Sequence, residues 1–252
     1  FREGALRWFP HHSIQSLDAI LLTHHHMDAV AGLDDVRGFQ QFTGLNRDEP
    51  PKRIPISVYL SQECLDQVSS QFPWLFPNQQ KKETTNKPTT TTTPTTSVKR
   101  DVAALDVQII AEFQPFAVQQ GLEITPLPVW HGSDLISLGF SFSIRGENGN
   151  MVNVVYISDI SKLPESTLEY IQTKLPPTHV LICDCLLPEF QHPVHYSLEQ
   201  AVELAHDIRA KQTYLIGMSC DAFLPHDEMN AALQKKYNGT IQFAHDGQVV
   251  YL

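Results

Sequence analysis

A chain of 252 residues, 42% hydrophobic and 18% charged, is globular and long enough to bury a substantial core. Its formal net charge of −10 argues against a general polynucleotide binder, whose affinity comes largely from clustered Lys and Arg. No run approaches the ~20 uninterrupted apolar residues of a membrane span, and the four cysteines, Cys64, Cys183, Cys185 and Cys220, lack a Cys-x-x-Cys spacing, which favours a reducing, cytoplasmic setting over a disulfide framework.

Taken in chain order, residues 1–10 have no signal-peptide character. Residues 18–23 form an aliphatic run that predicts a buried strand. It ends in Thr23-His24-His25-His26-Met27-Asp28. On an extended backbone His24 and His26 share one face and His25 takes the other; a tight turn brings Asp28 back to the first side, and residues 29–40 suggest a helix. A strand is expected over 54–60 and a helical region over 61–76, ended by Pro77. Residues 81–100 are a Thr-rich, low-complexity tract that cannot bury enough surface to offset its ordering entropy. It reads as a mobile surface insertion within one domain spanning 1–252, with a substrate-facing flap or a modification site as its functional alternatives.

Downstream, strands are expected at 107–111, 123–129, 138–144, 152–158, 180–184 and 213–216, and helices at 165–174, 197–210 and 226–237. Asp246-Gly247 between two apolar runs signals a terminal hairpin. Two sheets flanked by helices satisfy this α/β pattern.

Three further motifs carry chemistry. Residues 121–132 read as a strand ending in His131-Gly132, residues 152–159 as a strand ending in Asp159, and His192-Pro193-Val194-His195-Tyr196-Ser197 as a loop opening a helix, with Ser197 and Gln200 spaced as a capping box. Each has a plain structural explanation: a turn histidine, a cap on residues 160–163, a capped helix. The capping box leaves His195 unexplained.

Together with His24, His26 and Asp28, these motifs resemble, in content and order, the His-x-His-x-Asp-His signature and companion motifs of the metallo-β-lactamase superfamily. The extension Gly32-Leu33-Asp34-Asp35-Val36-Arg37 resembles the branch holding the phosphoribosyl cyclic phosphate phosphodiesterase, near the tRNase Z group. The resemblance implies an αββα sandwich. It implies a first metal site of His24, His26, His131 and Asp159, an N3O set suited to zinc or manganese, and a second site to which Asp28 and the bridging Asp159 belong. Two departures weaken that second site. Ala29 stands where the signature has its last histidine, and Gly217-Met218-Ser219-Cys220 stands where relatives have Thr-His-x-Ser-His. One ion per chain is therefore expected. Cys220 is a candidate soft ligand, although a cysteine ending an apolar strand is more often a packed small hydrophobe. Family members also carry strands before the first motif, so the chain is expected to lack the first strands of that sheet.

The implied function is a metal-dependent hydrolase acting by metal-activated water on a small or cyclic phosphodiester. Asp28 would orient or deprotonate the water and His195 would protonate the leaving alkoxide. A small-molecule phosphate ester is the expected partner, and a homodimer is compatible with this reading. The alternatives are an RNA 3′-processing nuclease and a catalytically silent relative serving as a binding or scaffold module.

Overall fold

Strand and helix signals resolve into two units, Phe1–Ile109 and Ile110–Leu252. The computed structural model describes residues 1–43, 51–77 and 101–252; the Thr-rich insertion expected at 81–100 lies outside the described residues.

In the first unit, helix α1 (Arg2–His11) precedes β1 (Ala19–Leu21) and the single-turn α2 (Met27–Val30). A short antiparallel ribbon of β2 (Phe42–Thr43) and β3 (Lys52–Arg53) follows, then β4 (Ile56–Leu60), α3 (Gln62–Gln71) and β5 (Leu105–Ile109). The sheet runs β1-β4-β5 with every pair parallel. Strand β4 alternates as a half-covered strand does: Ile56, Val58 and Leu60 are buried. They pack with Leu22, Val30, Val36, Leu65 and Val68. Helix α3 starts where Ser61 Oγ accepts from the Cys64 amide, and it buries Cys64, Leu65 and Val68.

The single helix expected over 29–40 is a correction. The chain makes only α2, then turns, then a 3-10 helix at Asp35–Phe39. Gly32, Asp34 and Asp35 are poor helix formers, and Asp34 has competing work: its carboxylate accepts from the Ala103 amide at 3.0 Å and from Arg37 Nη1 at 3.4 Å. Those bonds hold the turn in place of a helical ladder.

The second unit holds β6 (Phe116–Ala117), β7 (Glu123–His131), β8 (Leu135–Arg145), β9 (Met151–Ile157), α4 (Glu165–Thr173), β10 (Thr178–Asp184), α5 (Leu198–Asp207), β11 (Gln212–Ile216), α6 (His226–Tyr237) and β12 (Ile241–Phe243). They build one seven-stranded sheet in the order β12-β11-β10-β9-β8-β7-β6. Strands β9 to β12 pair in parallel, joined by helices α4, α5 and α6, as parallel strands require. Strands β6 to β9 pair antiparallel. Because β7 and β9 are both antiparallel to β8, they run in the same direction. The carboxyl ends of β7, β9, β10 and β11 therefore lie along one edge of the sheet, where open α/β sheets place their ligands.

Strands β9 and β10 are covered on both faces and read as continuous apolar runs. Leu127, Val129, Val155, Ile157, Leu181, Cys183 and Leu215 pack with Ala201, Leu204 and Phe243 on one face; Val154, Val180 and Tyr214 form the smaller cluster on the other. The close pairing of β8 with β9 depends on Gly139, where a Cβ would stand 2.7 Å from the Tyr156 carbonyl oxygen and 3.0 Å from Ile157 Cγ1.

The terminal hairpin is a second correction. Strand β12 pairs in parallel with β11, and Asp246-Gly247 is a turn with no returning strand. The Gln248 side chain closes that turn by accepting from the His245 amide. Beyond it the chain leaves β12, and the Leu252 carbonyl accepts from the Glu147 amide at 2.6 Å, next to the β8–β9 turn.

Candidate functional site

The first motif lies in the first unit, in the segment between β1 and α2. His24 is buried, at 1% exposure, and its Nδ1 meets Thr23 Oγ1 at 2.9 Å. His26 is exposed, and the His24 and His26 rings stand 4.6 Å apart at 77°. That proximity matches the shared face expected of alternate residues, although the chain has already left the strand. Asp28 sits in the first turn of α2, exposed, with Oδ1 accepting from the Ala29 amide at 3.1 Å.

The second unit brings together three residues the motifs singled out: His131, Asp159 and His195 each offer a ligand-type atom within 4.8 Å of the other two. His131 is the last residue of β7, in line with the core residues Leu127 and Val129. Asp159 lies two residues past β9 in a left-handed conformation (φ 52°), which Asp tolerates better than most residues. It does not cap a helix, since 160–163 is irregular and α4 starts only at Glu165 with Pro164 as its N-cap. His195 lies in the loop from β10 to α5, and the capping box of Ser197 and Gln200 fixes the helix start just after it.

Hydrogen bonds hold these loops to one another. Ser161 Oγ donates to the Trp130 carbonyl and accepts from the Gly132 amide at 2.9 Å, gripping the chain on both sides of His131. The Ser161 amide donates to the Trp130 carbonyl at 2.7 Å. Tyr196 Oη accepts from the Leu163 amide at 3.1 Å, joining the His195 loop to the Asp159 loop. Burial pushes the Tyr196 phenol well above its ordinary value, and nearby Cys183 adds to the shift, so the hydroxyl stays neutral.

Two of these bonds fix ring tautomers. His131 Nδ1 lies 2.8 Å from the Val194 carbonyl oxygen, which only accepts, so the proton is on Nδ1 and the lone pair on Nε2. His195 Nδ1 lies 2.7 Å from Asp184 Oδ2, and the carboxylate again takes the Nδ1 proton. A carbonyl or carboxylate on one nitrogen is what holds an imidazole for work at the other. The His131 and His195 rings are 5.2 Å apart.

Asp184 is the functional residue the sequence reading missed. It ends β10, is 4% exposed, and also receives the Ile160 amide at 3.4 Å. The signal was available: a lone carboxylate inside Leu181-Ile182-Cys183-Asp184-Cys185 is a residue almost never buried without a partner. Gly217, at the end of β11, lies against it. Gly217 has φ 78°, and a Cβ there would stand 2.9 Å from Asp184 Oδ1. The departure at Gly217 thus has a local cause, since the buried carboxylate occupies the space a side chain would need. Cys220 is exposed, and among the described residues it joins no cluster of three metal-type donors.

Comparison with known proteins agrees with the fold. A family model described as a beta-lactamase superfamily domain matches residues 1–218. The crystal structure of a diphosphatase from the PhnP family is 25% identical with a TM-score of 0.68, covering 100% of this chain and 76% of that one. The short form of human tRNase Z is 14% identical with a TM-score of 0.55 over 92% of this chain and 78% of that one, a likeness of fold. An octanoyltransferase of Porphyromonas gingivalis is 27% identical over 216 residues, 86% of this chain and 35% of that protein, so the chain spans about a third of the length of this curated relative. With a family match over most of its length and the PhnP-family fold throughout, the chain belongs to the PhnP-like branch of the metallo-β-lactamase superfamily of metal-dependent hydrolases.

Proposed function

We propose that the chain hydrolyses a small or cyclic phosphodiester with a divalent zinc or manganese ion. The observation that carries this reading is the convergence of His131, Asp159 and His195 at one sheet edge, with the Nδ1 of both imidazoles already committed. The donor chemistry fits a metal: imidazole nitrogen and carboxylate oxygen suit either ion. Family membership adds His24 and His26 to the implied set of His24, His26, His131 and Asp159. A metal bound there supplies a water of lowered pKa and polarises the phosphoryl oxygen.

This chain's own residues do the rest. Asp28, exposed at the start of α2, orients the attacking water and accepts its proton. His195, held by Asp184 through Nδ1, keeps Nε2 as the nitrogen that gives a proton to the leaving alkoxide. The PhnP-family neighbour is a diphosphatase, which supports phosphorus chemistry. Net charge −10 tells against structured RNA as the substrate.

The test is hydrolysis of bis(4-nitrophenyl) phosphate by metal-loaded protein, before and after chelation and after metal is restored. A structured RNA with a 3′ extension and an octanoyl thioester complete the panel, the latter because of the curated relative's name. Chelator-sensitive release of nitrophenol supports the reading. Activity on the RNA or thioester alone replaces it, and metal binding without any turnover makes the chain a silent relative.

A further inference from the structure

We infer that His195 is a metal ligand through Nε2, completing with His131 and Asp159 a two-histidine, one-carboxylate face built wholly within the second unit. The inference rests on the metal-dependent reading above and replaces the proton-donor role given there to the same nitrogen. Four observations carry it.

His195 is no more remote than the expected donors: its ligand atom lies within the same 4.8 Å that relates His131 to Asp159. Donors bonded tetrahedrally at about 2.0–2.2 Å to one ion stand roughly 3.3–3.6 Å apart, so the trio has to contract by about 1.5 Å at most. His195 also has the support that ligating histidines have, with Asp184 on Nδ1 forming a carboxylate–histidine pair. His131 is supported in the same manner by the Val194 carbonyl, one residue before His195, so the two rings are positioned by one stretch of chain. Finally, Asp184 is 4% exposed and receives the Ile160 amide next to Asp159, so a single buried carboxylate steadies both His195 and the Asp159 loop. A proton donor needs only one good contact to its base. A ligand needs its ring direction fixed, and Asp184 fixes this ring at Nδ1 while the capping box of Ser197 and Gln200 fixes the backbone two residues on. With Ala29 and Gly217 offering no imidazole, His195 supplies a donor that those positions lack.

The test uses the full chain and two readouts independent of turnover: zinc affinity by chelator competition, and the visible spectrum of the cobalt-substituted protein. His195→Gln and Asp184→Asn are compared with His206→Ala, an exposed histidine of α5 outside the site. His195→Gln is expected to weaken zinc binding at least tenfold and to change the cobalt bands. Asp184→Asn is expected to weaken binding by about 10–100-fold, as loss of an outer-shell partner does. His206→Ala should match the unaltered protein. Zinc titration of the 15N-histidine-labelled unaltered protein should also move the His195 Nε2 resonance, a readout that survives if a variant fails to fold. An unchanged spectrum and affinity in His195→Gln, or an unmoved Nε2 resonance while zinc binds, overturns the inference and leaves the hydrolase reading standing. Failure of the unaltered protein to bind metal overturns both.

Discussion

Asp184 and His195, eleven positions apart, meet in a 2.7 Å hydrogen bond, and the carboxylate that makes it sits against the bare Cα of Gly217. The end of β11 is thereby coupled to a histidine on the far side of α5 in sequence through one buried side chain.

Gly217→Ala is therefore expected to act on the site as well as on the backbone. The left-handed conformation costs a non-glycine residue about 1–2 kcal/mol, and the new Cβ pushes on Asp184 Oδ1. Chemical denaturation should show the stability loss. Turnover should fall beyond what the folded fraction explains, by about tenfold if Asp184 shifts as an outer-shell partner would. Gly217→His, a nominal restoration of the family's ligand, is expected to lower metal affinity instead of raising it.

Ser161→Ala removes the hydroxyl that bridges the Trp130 carbonyl and the Gly132 amide. The Gly132 amide loses its partner, at a cost of about 1–3 kcal/mol, while the Trp130 carbonyl keeps the Ser161 amide. Because His131 lies between those two residues, zinc affinity should drop with stability. An affinity equal to that of the unaltered protein would show that the strand holds His131 without the serine.

Gly139→Ala places a methyl group 2.7 Å from the Tyr156 carbonyl oxygen. Overpacking against backbone costs about 1–3 kcal/mol. The urea midpoint should fall accordingly, and because Tyr156 and Ile157 are the last two residues of β9, just before Asp159, metal affinity per folded molecule should fall as well.

The thiols set an alkaline limit on stability. Burial, with Glu63 adding to it, pushes Cys64 from its ordinary 9.0 up to about 12, and burial raises Cys183 and Cys185 as well. Thiol groups raised in the folded state hold protons that the unfolded chain gives up near pH 9, so the stabilisation is fully present below pH 9 and is lost as pH rises toward 12. Urea midpoints measured from pH 7 upward should be flat with respect to these groups until about pH 9 and then decline. At pH 8 a thiol reagent should modify Cys220 in the native protein and all four cysteines only after unfolding.

The sheet of the second unit was legible because its strands are long and covered on both faces. Residues 123–129 and 152–158 were expected as strands and are the bodies of β7 and β9; their motif residues His131 and Asp159 follow from where those strands end. The Ser197–Gln200 capping box was readable from four letters. What failed depends on partners distant in sequence. Asp34 breaks the helix expected over 29–40 by bonding to Ala103, 69 residues away, and the terminal hairpin loses to a contact between Leu252 and Glu147. Asp184 was hidden for the same reason. Its role exists only once β10 and the His195 loop are side by side, and local pattern carried it merely as the end of a strand.

The strand directions of the second unit leave its two sheet edges with unequal tolerance for alteration. Donor-bearing residues gather where β7, β9, β10 and β11 end, while the β8–β9 turn at Glu147, Asn148 and Gly149 lies at the edge where β9 begins. A tether for surface immobilisation, or a reporter fused at exposed Asn148, would hold the protein by the far rim and leave the opposite rim facing the solution.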